Sequence, residues 1–358
     1  MSWIAIAGAG TPGWVCPKAL GGNAGPRTRL MARGSILIET RMSPGGRPQT
    51  LLAFNRAHPW PGAISLQAIP GGSIALILAQ GADVFHTVLD HGHSERTDVI
   101  RVTFSWDAPA RWGRLTVERP ESDVMVSLDT PAPPPIMLCD VETMARHPQL
   151  CQRDDDVVFF AVSDRIEPIG PAATLSAPSP VETPRGWRRL GDLKCGDLIC
   201  TRDAGIVPVL ERVSRVVPGL GSFQPVRLRA PYFGLRQDIV VAPDQRMVIS
   251  GSEVEYMFGQ EAVLVSARHL VNGTAARWEE APRLIRYTQL LLPGHEALIV
   301  AGTALESLYI GRLRRKPPNC AATLLKDTPA NFLPEHRRSG YPVLRAFEAV
   351  TLAQARAA

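Results

Sequence analysis

"DVIRVTFSWDAPARWGRLTVERP", Asp98 to Pro120, alternates apolar and polar side chains on either side of a short break. Successive side chains of an extended chain point to opposite faces, so Val102, Phe104 and Trp106 share one face and Arg101, Thr103 and Ser105 the other. The reading is a pair of strands with one buried and one wet face. Outward from it the pattern repeats: "SILIETRM", "TLLAFNRA", "ISLQAI", "SIALILAQ" and "DVFHTVL" come before, and "DVMVSLDT" after, where Val124, Val126 and Leu128 are expected to point inward. "PGG" (Pro44 to Gly46), "PWPG" (Pro59 to Gly62) and a second "PGG" (Pro70 to Gly72) separate the runs with turn chemistry. Many short strands between such turns predict an all-β sandwich.

The strand, tryptophan, turn, strand order of "RVTFSWDAPARWGRLTVE" resembles a concanavalin or laminin-G type jelly roll, placed at residues 29–150. That resemblance implies a glycan or protein ligand on the sandwich. A sugar-cleaving enzyme would need paired carboxylates, and Glu118 and Asp129 lie on separate strands with no motif joining them. In "LDHGHSERTD", Asp90, His91, His93 and Glu95 have donor chemistry but no fixed geometry in a loop, so the segment reads as a polar turn.

Gly8, Gly10 and Gly13 spell the glycine pattern of a dinucleotide turn. Pro12 inside it, and Pro17, Gly21, Gly22, Gly25 and Pro26 where a helix should begin, exclude that reading. Residues 1–28 are then expected to be a flexible arm. At the other end of the sandwich, residues 151–181 read as a strand, "DDVVFFAVSD", and a proline-rich linker.

With 358 residues the chain is long enough for two domains, since single cores stop growing near about 250–300 residues. The second half resembles the bacterial Hint (Hedgehog/intein) module, carried by "ETPRGWRRLGDLKCGDLICTRD" (Glu182 to Asp203), "IVVAPDQRMVIS" (Ile239 to Ser250), "VLVSARHLVNG" (Val263 to Gly273), "GHEALIVAGTALESLYIG" (Gly294 to Gly311) and "YPVLRAFEA" (Tyr341 to Ala349). The resemblance implies a compact, horseshoe-like β domain at residues 182–315, with residues 316–358 as an extension packed on it.

Active members of that family cut the peptide bond at their own start. A nucleophile attacks the preceding carbonyl, and a T-x-x-H element polarises the bond and protonates the departing nitrogen. Counted back from "TPRG", the nucleophile falls at Thr174, a weaker one than a cysteine whose thiol titrates near about 8.5. The T-x-x-H positions are occupied by Ala242, Pro243, Asp244 and Gln245, so threonine and histidine are both replaced. The expectation is a degenerate module that serves binding or assembly. The alternative is residual self-cleavage at Ala173-Thr174 by an N–O acyl shift. His295 and His269 read as structural, with His295 opening a strand and "ARHLVNG" forming a short helix capped at Asn272-Gly273. Asp192, Asp197 and Asp203, beside Gly191, Gly196 and Gly205, read as turn residues.

No cofactor is implied, and the six scattered cysteines show neither metal spacing nor a disulfide framework. The net charge of +5 is dispersed, and "GRLRRKPP" (Gly311 to Pro318) reads as a solvated face, so no nucleic-acid partner is expected. Without a signal-peptide pattern or an apolar span, the expected location is cytoplasmic, or outside the cell by a non-classical route.

Overall fold

The computed structural model describes residues 2–9, 13–18, 29–43, 46–92, 98–122, 124–280 and 282–356. Two compact units divide at Ile169/Gly170, which puts residues 151–169 in the first unit instead of a linker.

The first unit contains β1 (Trp3–Gly8), β2 (Trp14–Val15), β3 (Leu30–Met31), β4 (Arg33–Arg41), β5 (Gln49–Arg56), β6 (Gly62–Ile69), β7 (Ser73–Gln80), β8 (Asp83–Asp90), β9 (Val99–Asp107), β10 (Trp112–Arg119), β11 (Val124–Pro131), β12 (Ile136–Met137), α1 (Leu138–Arg146), β13 (Cys151–Gln152) and β14 (Val157–Ser163). A seven-stranded sheet runs β11-β10-β9-β4-β14-β1-β2, and a five-stranded sheet runs β13-β5-β6-β7-β8. Val102, Phe104 and Trp106 of β9 join Ile36, Ile38, Phe160 and Val162 in a core with Leu52, Ile64, Leu66 and Leu76. Each such side chain contributes about 1.5–3 kcal/mol through burial. The indole of Trp106 keeps its hydrogen bond, donating to the Met31 carbonyl at 2.9 Å.

Three expectations are corrected here. Arg101, Thr103 and Ser105 are as buried as their apolar neighbours, so that face of β9 is not wet. Its charges are arranged in register: Arg101 lies between Glu39 of β4 and Glu118 of β10, which suits opposite charges on adjacent strands. Second, Val124 and Leu128 are exposed, and of the three inward candidates Val126 alone packs against the core. β11 is the outermost strand of its sheet, where the cover thins. Third, the supposed arm supplies a strand: every residue of β1 is buried, because it lies between β14 and β2. Gly13 belongs to a close approach, since a Cβ there would stand 1.8 Å from the Ala145 carbonyl oxygen. Gly10, Pro12 and residues 19–28 lie outside the described residues.

The second unit contains β15 (Leu175–Ser176), β16 (Pro180–Thr183), β17 (Gly186–Arg189), β18 (Leu198–Cys200), β19 (Ile206–Pro208), β20 (Glu211–Pro218), β21 (Val226–Leu228), β22 (Ile239–Val241), β23 (Arg246–Ser250), α2 (Ser252–Phe258), β24 (Ala262–Ser266), β25 (Ala276–Trp278), β26 (Leu284–Leu291), β27 (Ala297–Val300), β28 (Thr303–Glu306), α3 (Pro317–Cys320) and α4 (Ala346–Ala355). One six-stranded sheet runs β20-β26-β15-β22-β21-β25 and another runs β17-β16-β27-β28-β23-β24. Leu175, Val181, Val241, Met247, Leu290, Leu298 and Leu305 form its core, which Leu344, Ala349 and Leu352 complete from the C-terminal segment.

Candidate functional site

Thr174 immediately precedes β15, whose Leu175 pairs with Val241 of β22 on one side and Thr288 of β26 on the other. This register brings three distant stretches together. Ala242 follows β22 and donates its backbone N–H to the Thr174 carbonyl at 2.7 Å. A tight turn then returns the chain, the Gln245 N–H reaching the Ala242 carbonyl at 3.0 Å, so that Gln245 comes back beside Thr174.

Thr174 Oγ1 donates to Gln245 Oε1 at 2.6 Å and accepts from Gln289 Nε2 at 3.0 Å. Gln245 Nε2 donates to the carbonyls of Arg246 (2.7 Å) and Glu306 (3.2 Å), which leaves its oxygen facing the threonine. Gln289 Nε2 also reaches Gln245 Oε1 at 3.1 Å and the Glu306 carbonyl at 3.2 Å, while its Oε1 accepts the Leu290 N–H at 3.2 Å. All three side chains are buried: Thr174 is 8% exposed, Gln245 1% and Gln289 2%. The cluster is neutral and every polar atom of its three side chains has a hydrogen-bond partner, as buried polar groups require.

Thr174, Ala242 and Gln245 therefore converge. His295 does not join them. It lies just before β27, its Nδ1 accepts the Gly340 N–H at 3.1 Å, and its Nε2 is 3.0 Å from Glu306 Oε1. An accepting Nδ1 leaves the proton of the neutral ring on Nε2, which lies near the carboxylate without hydrogen-bonding it. Glu306 Oε1 is also 3.2 Å from the Arg246 guanidinium, and the Glu306 carbonyl accepts from Gln245 and Gln289, so Glu306 links the histidine to the threonine cluster. Asp244, between Ala242 and Gln245 in the chain, is paired with Arg268.

Further out, His336 accepts the Ile310 N–H at Nδ1 and reaches the Leu292 carbonyl at 3.2 Å through Nε2. Burial pushes its pKa down to about 4. The Tyr309 ring packs edge-on against His295 with centroids 4.8 Å apart. Ala267–Leu270 form a 3₁₀ turn, and Asn272 Oδ1 accepts the Thr274 and Ala275 N–H groups, so Asn272-Gly273 closes a loop instead of capping a helix.

Gln289 and Glu306 were absent from the sequence reading. The signal for Gln289 was an amide in "YTQLLL", a strand stretch buried on both faces, where an unpartnered polar group would be costly.

In the first unit, the Asp90 carboxylate accepts the Gly92 N–H, and His91 is held below its usual pKa by burial and by Arg119. His93 and Glu95 lie outside the described residues. Glu118 is buried whereas Asp129 pairs with Arg114 at 2.8 Å, so the two carboxylates are not brought together. Among the described residues no His, Cys, Asp or Glu group is arranged to hold a metal, and no helix is long and apolar enough to cross a membrane.

A family model described as "Hint domain" matches residues 173–312, beginning one residue before Thr174. Among solved structures, the chain is similar to the MchDnaB-1 intein (18% identity, 37% of this chain and 98% of that one, TM-score 0.25). It is also similar to a bacterial intein-like domain from Clostridium thermocellum (13%, 38% and 99%, TM-score 0.29). The LG1-3 region of the laminin alpha2 chain matches at 9% identity over 86% of this chain and 56% of that one, with a TM-score of 0.27. No curated protein matches. The chain thus carries a Hint domain at residues 173–312, after a separate β-sandwich unit.

Proposed function

We propose that this Hint domain no longer cleaves its own chain and acts as a binding or assembly module. The observation that carries the reading is the Thr174 hydroxyl held between two amides, donating to one and accepting from the other. Self-cleavage needs a group that takes the nucleophile's proton and a group that protonates the departing nitrogen. Amides do neither near neutral pH. Ala242 has no hydroxyl to offer, and the Asp244 carboxylate is engaged by Arg268.

Intact mass of freshly purified protein, and of the same sample held a day at neutral pH with and without hydroxylamine, tests this. A single species near 38.9 kDa is expected throughout. Two fragments meeting at Ala173-Thr174, and absent from Thr174→Ala, would overturn the loss of cleavage.

A further inference from the structure

β17 is the outermost strand of its sheet, and all four of its residues are exposed. It pairs with β16 alone, Trp187 opposite Glu182 and Arg189 opposite Pro180, so Trp187 and Arg189 share the outer face. A third group joins them from another loop. The Arg236 guanidinium lies over the Trp187 ring at 5.6 Å from its centroid. Its backbone is tied in place, the Arg236 N–H donating to the Ala301 carbonyl at 2.7 Å and the Ala301 N–H to the Pro180 carbonyl at 2.8 Å. Gly302 permits the approach, since a Cβ there would stand 3.0 Å from Arg236 Cγ.

Arg188, on the opposite face, is neutralised by Asp197 at 3.1 Å. Arg185, Arg189 and Arg236 have no acidic partner among the described residues. The sole acid on the β16–β17 pair is Glu182. Charges alone would be ordinary protection of a sheet edge against aggregation. A protective edge, however, avoids large exposed apolar groups, and the Trp187 indole is 40% exposed. An open strand edge supplies backbone partners, guanidinium groups bind carboxylates through paired N–H donors, and an indole packs against an extended chain.

We propose that the open edge of β17, with Trp187, Arg189 and Arg236 on its outer face, is a docking strand for an acidic peptide segment in extended conformation. The segment adds to the sheet beside β17 while its carboxylates meet Arg189 and Arg236. This surface is separate from the Thr174 cluster, and its test is independent of self-cleavage.

The probe is a fluorescein-labelled oligoglutamate peptide, which its own charge keeps extended, titrated onto the full chain at low salt and followed by anisotropy. Saturable binding is expected, weakened by added salt, by Trp187→Ala, and about tenfold or more by Arg189→Glu combined with Arg236→Glu. Arg212→Glu, an exposed arginine of β20, should bind as the parent does. Slowed hydrogen exchange at the Gly186–Arg189 amides in the complex distinguishes an added strand from loose ion pairing. No saturable binding, equal loss with Arg212→Glu, or unprotected β17 amides would each overturn the proposal. So would displacement of the peptide by a lower concentration of single-stranded oligothymidylate, which would make the surface a nucleic-acid site. Circular dichroism of each variant confirms that these solvent-facing changes leave the fold intact.

Discussion

Thr174 shows how one buried hydroxyl can join distant stretches of a chain. Its hydroxyl is donor to Gln245 and acceptor from Gln289, so it stabilises the junction of three segments in the manner of a buried structural hydroxyl. Thr174→Val keeps the shape and removes both bonds, leaving Gln245 Oε1 to the Gln289 amide and Gln289 Nε2 to Gln245 Oε1 and the Glu306 carbonyl. The expected loss is about 1–3 kcal/mol, read from the urea midpoint at unchanged m-value, whereas Thr174→Ser should stay near the parent. The resemblance singles out Thr174 and Gln245 by their place relative to the quoted stretches, and the pairing of Leu175 with Val241 brings the two together. Gln289 was not legible in the sequence. It meets Thr174 across 115 residues of chain, through the pairing of β15 with β26, and no local spacing encodes such a meeting.

Strands of this chain were readable where one face meets the core and unreliable where a sheet ends. β9 sits inside its sheet, and its apolar set joins the core as the alternation implied, while its polar set, expected to be wet, is buried as well. β11 carries the same alternation at the margin, and Val124 and Leu128 stand 46% and 39% exposed. The pattern records which residues share a face and says nothing of whether that face has cover. β1 failed for the opposite reason: "WIAIAG" is buried on both sides, so it has no alternation, and the glycines and prolines after it disguised a strand as an arm. A pair of substitutions measures the difference at one cross-strand position. Leu115 of β10, fully buried, is paired with Leu128. Leu115→Ala should cost about 2–5 kcal/mol by chemical denaturation, and Leu128→Thr no more than about 1 kcal/mol. Comparable losses would mean that β11 is covered in solution.

Two cores with no shared member imply two unfolding transitions, and only the second should carry the histidine chemistry of the C-terminal segment. That segment is tied down by His336 at Leu292 and Ile310, by Gly340 at His295, and by Leu344, whose N–H reaches the Leu264 carbonyl at 3.0 Å. His336 titrates near 4 when folded, because burial and neighbouring His295 disfavour its charge, and near about 6.5 when unfolded. The unfolded chain therefore binds more protons between these values. Stability from this group is complete above about pH 6.5 and declines as pH falls toward 4, by an amount on the order of 2–3 kcal/mol. Urea melts at pH 7 and pH 5 should show the second transition moving to lower denaturant at pH 5. In His336→Gln, which lacks a titrating ring, that movement should shrink while the first transition behaves as in the parent. If the variant keeps the full pH dependence, protonation elsewhere governs the second unit and the His336 tie is incidental to its acid sensitivity.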